Sequence, residues 1–165
     1  MGTYRIRQVK KEIRVLGLAA RQAPDGHGFD VVGVIYRGRH WLDGVLRTTS
    51  IDSDVTSEAV EMIVGSDHNP QIRVILLHTD LLKDGTTIDP SELSKGTLKP
   101  VIAMRFKETP KDDPSQTERV PLDLESSIAF GLEKRVAERI LESTSRESSP
   151  PEALRVAELI LSYLL

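Results

Sequence analysis

At 165 residues with 39% apolar side chains, the chain is long enough for one domain with a sizeable core, and no apolar run approaches the roughly 20 residues that a helical membrane crossing needs. Zero cysteines exclude a disulfide framework and a thiolate zinc site, and the four histidines are scattered without the spacing of a ligand pair. The net charge of −3 hides an asymmetry: residues 1–50 carry nine Lys/Arg against four Asp/Glu and the remainder thirteen against twenty-one, so a basic part suited to phosphate is joined to an acidic one.

The opening stretch "MGTYRIRQVKKEIRVLG" is basic and lacks an apolar signal core and a small-residue cleavage site, so a cytoplasmic location is expected. Residues 13–18, "IRVLGL", read as a short buried strand. "FDVVGVIY" at 29–36 and "WLDGVLRTTSI" at 41–51 are rich in β-branched and aromatic residues, and the short connection "RGRH" between them predicts a hairpin. Asp54 or Thr56 can cap a helix whose apolar positions Val55, Ala59, Met62 and Ile63 recur at helical spacing until Gly65 ends it. A strand at 72–77 follows. "DPSEL" then offers a helix start, with Asp89 at the cap, Pro90 in the first turn and Glu92 three residues after the cap, and Gly96 is expected to close that helix. "PVIAMRF" at 100–106 reads as a strand. Residues 107–121, polar and carrying three prolines, are assigned no regular structure. Two helices close the chain, at about 132–145 and 152–164, separated by "SSPP".

The order βββ, α, β, α, β followed by helices resembles the ribonuclease H-like arrangement, an α/β fold with a mixed sheet and flanking helices, here as one domain over 1–165. By that analogy the first and fourth strands lie side by side, and residues 18–20 come close to 77–80. The fourth strand, "RVILLHTD", runs apolar through Leu77 and ends on His78, Thr79 and Asp80, at the end of an α/β sheet where ligands collect. Simpler roles compete there. A histidine at a strand end commonly satisfies a backbone carbonyl, "DGHG" at 25–28 reads as a turn, and Asp89 is better explained as a cap than as a ligand.

The segments "KKEIRVLGL", "VGVIYRGRHWLDGVL", "EMI", "RVILL" and "PPEALRVAELI" together resemble the archaeal family called domain of unknown function 99, a relative of endonuclease V, over nearly the whole chain. Endonuclease V-like enzymes cut a phosphodiester by metal-assisted hydrolysis, in which carboxylates converge on Mg²⁺ so that the ion holds the phosphate and activates water. The resemblance implies an Asp at the end of the first strand and another at the end of the fourth. This chain has Ala19 and His78 at those places, and Ile128 or a neighbour where a histidine is expected before the last helices. Alanine offers no donor, and a neutral imidazole is a poor ligand for Mg²⁺.

The resulting expectation is an endonuclease V-like protein that acts without catalysis and binds nucleic acid or a protein partner, with no cofactor and no membrane span. In the hairpin, Arg37, Arg39 and Arg47 are candidates for phosphate contact and Trp41 for stacking on a base, although Trp41 at a strand start reads more readily as core. Two alternatives remain. One is a metal-dependent endonuclease whose Mg²⁺ ligands have moved, built from His78 and Asp80 with Asp25 or Asp43. The other is a protein-interaction subunit, suggested by the overall acidity and the apolar ending "LILSYLL". Phosphate-loop, nucleophile-elbow and dinucleotide motifs are absent from the sequence.

Overall fold

The computed structural model describes residues 6, 8–51, 54–79, 88–110, 117–121, 128–147 and 149–164, with 106–110, 117–121 and 128 described by their backbone only. A six-stranded sheet organises it. β1 (Arg14–Gln22), β2 (Phe29–Arg37) and β3 (Trp41–Ser50) form an antiparallel meander, β4 (Val74–His78) and β5 (Val101–Met104) add in parallel beside β1, and β8 (Ile128–Phe130) closes the far edge antiparallel to β5. The order across the sheet is β3-β2-β1-β4-β5-β8. First and fourth strands are thus neighbours, with Leu18 opposite Leu77.

β1 is longer than its apolar run predicts, because pairing with β2 carries it through Arg21 and Gln22 to the turn at 25–28. In that turn the Asp25 carboxylate accepts the His27 backbone N–H at 2.9 Å, the local bond that makes aspartate a turn residue. Alternation along the strands then sorts the core into two layers. Val15, Ala19, Val34, Leu76 and Ile102 face α3 (Lys134–Thr144) and α4 (Glu152–Tyr163). Leu16, Leu18, Ile35, Ile75 and Leu77 face α1 (Val55–Val64) and α2 (Pro90–Thr97). With helices on both faces, the central strands are buried on both sides, which is why they read as continuous apolar runs.

Both predicted caps form: the Asp54 carboxylate accepts the Ser57 N–H at 3.1 Å and the Asp89 carboxylate accepts the Glu92 N–H at 2.9 Å. Gly96 does not end α2. It lies within the helix, where a Cβ would come within 2.9 Å of both Val60 methyls of α1, and the left-handed cap falls instead on Leu98 with φ of 56°. The glycine therefore lets two helices approach rather than breaking one. Residues 107–121, expected to lack regular structure, contribute to a two-stranded antiparallel sheet of β6 (Phe106–Pro110) and β7 (Thr117–Pro121). A hairpin can form there because its backbone pairs with itself and needs no apolar alternation against the main core. β8 was not predicted, since three residues are too short to show a period.

Candidate functional site

At the carboxyl end of the sheet, the parallel register Leu18↔Leu77 places Ala19 and His78 side by side under α4. Ala19 is fully buried. His78 meets the Glu158 carboxylate of α4 through Nδ1, a side-chain partner delivered by the last helix. Beside it, the Thr79 hydroxyl donates to the Met104 carbonyl at 3.1 Å. Asp80 lies outside the described residues.

The same end carries a second charged group. Asp30 of β2 is only 3% exposed, and the Arg47 guanidinium of β3 donates to it at 3.2 Å while that of Arg21 in β1 stands at 3.8 Å. Arg21 also donates to the Leu164 carbonyl at the end of α4. Among the described residues, Asp30 is thus answered by two arginines and Glu158 meets His78. Among the described residues no group of three or more His, Cys, Asp or Glu side chains is arranged to hold a metal ion.

The predicted binding residues do not come together. Arg37 pairs with Arg14 at the start of β1, whereas Ala19 is opposite Val32. The two rows are five residues apart, about 16 Å at the usual strand rise. Arg47 therefore belongs to the carboxyl end, and Arg37, Arg39 and Trp41 belong to the opposite end of the sheet. At that end Asp43 is shared by Arg37 at 2.9 Å and Arg14 at 3.0 Å, so Asp43 is too far away to complete a set with His78. Arg39 reaches the Ser145 carbonyl at 3.3 Å. Trp41 is 57% exposed, contrary to its reading as core, and it begins the strand that forms the sheet's edge among the described residues. Nearby, Glu152 at the start of α4 is buried and bound twice by Arg155, at 3.0 and 2.5 Å. These hydrogen bonds hold its carboxyl below the usual range against the opposing effect of burial, with Arg146 and His40 adding to the lowering.

Two of the side chains at the carboxyl end were missed by sequence reasoning, and both had a visible signal. Glu158 lies four residues after Leu154 and three before Leu161 on the inward stripe of the last helix, and Asp30 interrupts an otherwise apolar strand. A charged residue on a buried stripe must find a partner. Sequence gives no means of saying which.

Residues 11–119 match the family described as Endonuclease dU. A UPF0215 protein of Methanothermobacter thermautotrophicus is 34% identical over 191 residues, covering 98% of this chain and 92% of that protein. Among solved structures, a protein of unknown function from Archaeoglobus fulgidus superposes with a TM-score of 0.71 at 19% identity, covering 90% of this chain and 96% of that one. Endonuclease V of Ciona intestinalis, solved in complex with a 24mer DNA containing an inosine, superposes with a TM-score of 0.58 at 11% identity, covering 89% of this chain and 83% of that one. These likenesses establish an α/β endonuclease V-like fold.

Proposed function

The chain belongs to the endonuclease dU family, and from that premise we propose that it is a non-catalytic, endonuclease V-like protein that binds nucleic acid. The observation that carries this reading is what occupies the ends of β1 and β4. A Mg²⁺ held there would bind a phosphate oxygen and lower the pKa of the attacking water, and it requires converging oxygen donors. The described side chains do not fit that ion: Ala19 has no donor, His78 presents an imidazole already engaged with Glu158, and the Asp30 carboxylate is bound by Arg47 with Arg21 close by. The family membership and the basic first third of the chain favour retained contact with a nucleic-acid backbone.

The test uses the purified chain with deoxyuridine- and inosine-containing oligonucleotides, with Mg²⁺ or Mn²⁺. Salt-dependent binding without cleavage is expected. Metal-dependent strand cleavage that is lost in Asp80→Ala would establish the displaced-ligand enzyme instead. The protein-interaction reading is favoured by one feature: Leu42 and Val45 on β3 and Leu159 and Tyr163 on α4 are exposed apolar side chains. Co-purification of a stoichiometric protein by a chain that binds no oligonucleotide would decide for it.

A further inference from the structure

Resting on the reading that the chain binds nucleic acid, we infer that a single strand is held at the β2–β3 turn end of the sheet, away from Ala19 and His78. Two cavities of about 480 and 430 Å³ open at that end. They flank the segment that precedes β1: Lys10, Glu12 and Arg14 line the first, with Arg73 from the start of β4, and Lys11 lines the second. The second is completed by Arg39 and His40 of the turn and by Arg139 and Glu142 of α3. Six Lys/Arg side chains therefore line the pair against two glutamates, in a chain whose net charge is −3.

This basic lining is what suits the turn end of the sheet to a polyanion. Two further acids nearby are answered locally, Asp43 by Arg14 and Arg37 and Glu152 by Arg155 and Arg146, which leaves Glu12 and Glu142 as the acids of the cavity walls. The cations of the cavity walls outnumber these two glutamates, and Lys10, Lys11, Arg39 and Arg139 among them are exposed.

The backbone holds this cluster together. The Gly38 N–H donates to the Ile13 carbonyl at 2.9 Å, which ties the segment before β1 to the turn, and Gly38 has φ of 60° with no room for a Cβ, which would stand 2.2 Å from the Lys11 carbonyl oxygen. Only glycine brings Lys11 and Arg39 onto one surface in this way. Trp41, one residue beyond His40 and beside Arg37, adds an exposed aromatic face. An aromatic face beside a track of cations is the combination that binds unpaired bases with little sequence preference, and this is why a single strand is favoured over an acidic protein.

Trp41 is the sole tryptophan of the chain, so its fluorescence reports directly on this end. Short oligo(dT) and oligo(U) are titrated into the full chain at several salt concentrations, and into K11Q/R39Q/R139Q and the control K95Q, which removes an exposed cation from α2. The expected result is quenching of Trp41 by at least one oligonucleotide. The control should behave as the parent. The triple variant should lose about 2 from the slope of log affinity against log salt, which is about 100-fold at roughly 0.1 M salt if the two affinities converge near 1 M. If the loss of the Arg39–Ser145 contact lowers its melting temperature, K11Q/R139Q is measured instead, with a slope change of about 1.4 expected. A folded variant that keeps the parent's affinity overturns the location while leaving nucleic-acid binding intact. No binding by the parent, even at low salt, overturns the functional reading itself. Polyglutamate that competes as well as the oligonucleotides overturns the nucleic-acid occupant in favour of an acidic protein.

Discussion

Gly17→Ala tests how closely α4 is seated on the sheet, and hence whether Glu158 is delivered to His78 by the fold. A Cβ at Gly17 would stand 2.4 Å from the Ala153 carbonyl carbon, 2.5 Å from its oxygen and 2.6 Å from the Leu154 nitrogen. All three atoms are helix backbone, so no change of rotamer relieves the clash. Ordinary contact begins near 3.4 Å, and the helix must retreat by about 1 Å. A gap of that size forfeits roughly a quarter to a half of each contact that spans it. The losses fall on Leu154, Ala157 and Leu161, which are buried against β1 and β2. Overpacking usually destabilises by about 1 to 3 kcal/mol, and rigid backbone on the far side puts this site at the upper limit. For a chain of this size, about 3 kcal/mol lowers the melting temperature by about 6 to 12 °C. Urea unfolding should show a lower midpoint at an unchanged slope. The intrinsic effect of replacing glycine has the opposite sign, stabilising by about 0.4 to 1 kcal/mol through the unfolded chain where the backbone conformation permits it. A variant as stable as the parent, or more so, would therefore refute the seating of α4 described above.

Two further outcomes follow from buried charge and exposed surface. The Glu152 carboxyl, held below its usual 4.5 chiefly by Arg155, contributes stability that is present above that value and is lost as pH falls through the lower folded-state value; Glu152→Gln should therefore weaken the fold at neutral pH and flatten its loss of stability in acid, and an unchanged acid limb by pH-resolved urea unfolding would show that the pair does not act in this way. Trp41→Ala should leave the melting temperature within about 2 °C of the parent by calorimetry, since a side chain 57% exposed loses little on truncation, whereas a fall approaching the roughly 3 to 5 kcal/mol of a buried aromatic would restore the core reading.

The elements of this protein were legible from sequence wherever the signal was local. Asp54 and Asp89 cap the helices they precede because a cap needs only a carboxylate within reach of an N–H three residues on. The strands read at 13–18, 29–36, 41–51, 72–77 and 100–106 each overlap a strand of the sheet, because burial on both faces, or on one, leaves a run or an alternation of apolar residues. The resemblance over most of the chain then gave the fold, since the order of elements and the adjacency of β1 and β4 go together.

What tertiary structure decided was every pairing between distant residues and every question of which end or edge a residue occupies. His78 and Glu158 are eighty positions apart, and only the packing of α4 over β1 and β4 brings them together. Gly96 looks like a helix stop from its neighbours and is in fact the contact point of α1 and α2. Trp41 looks like core because aromatic residues favour strands, yet its strand is the sheet's edge. Arg37 and Arg47 sit ten residues apart in one hairpin and fall at opposite ends of the sheet, because an extended strand separates its two ends by about 3.3 Å per residue. Composition determined that this chain carries a basic part. The hairpin's direction across the sheet, together with the segment tied to its turn by Gly38, determined that Lys10, Lys11, Arg39 and Arg139 gather at the end opposite Ala19 and His78.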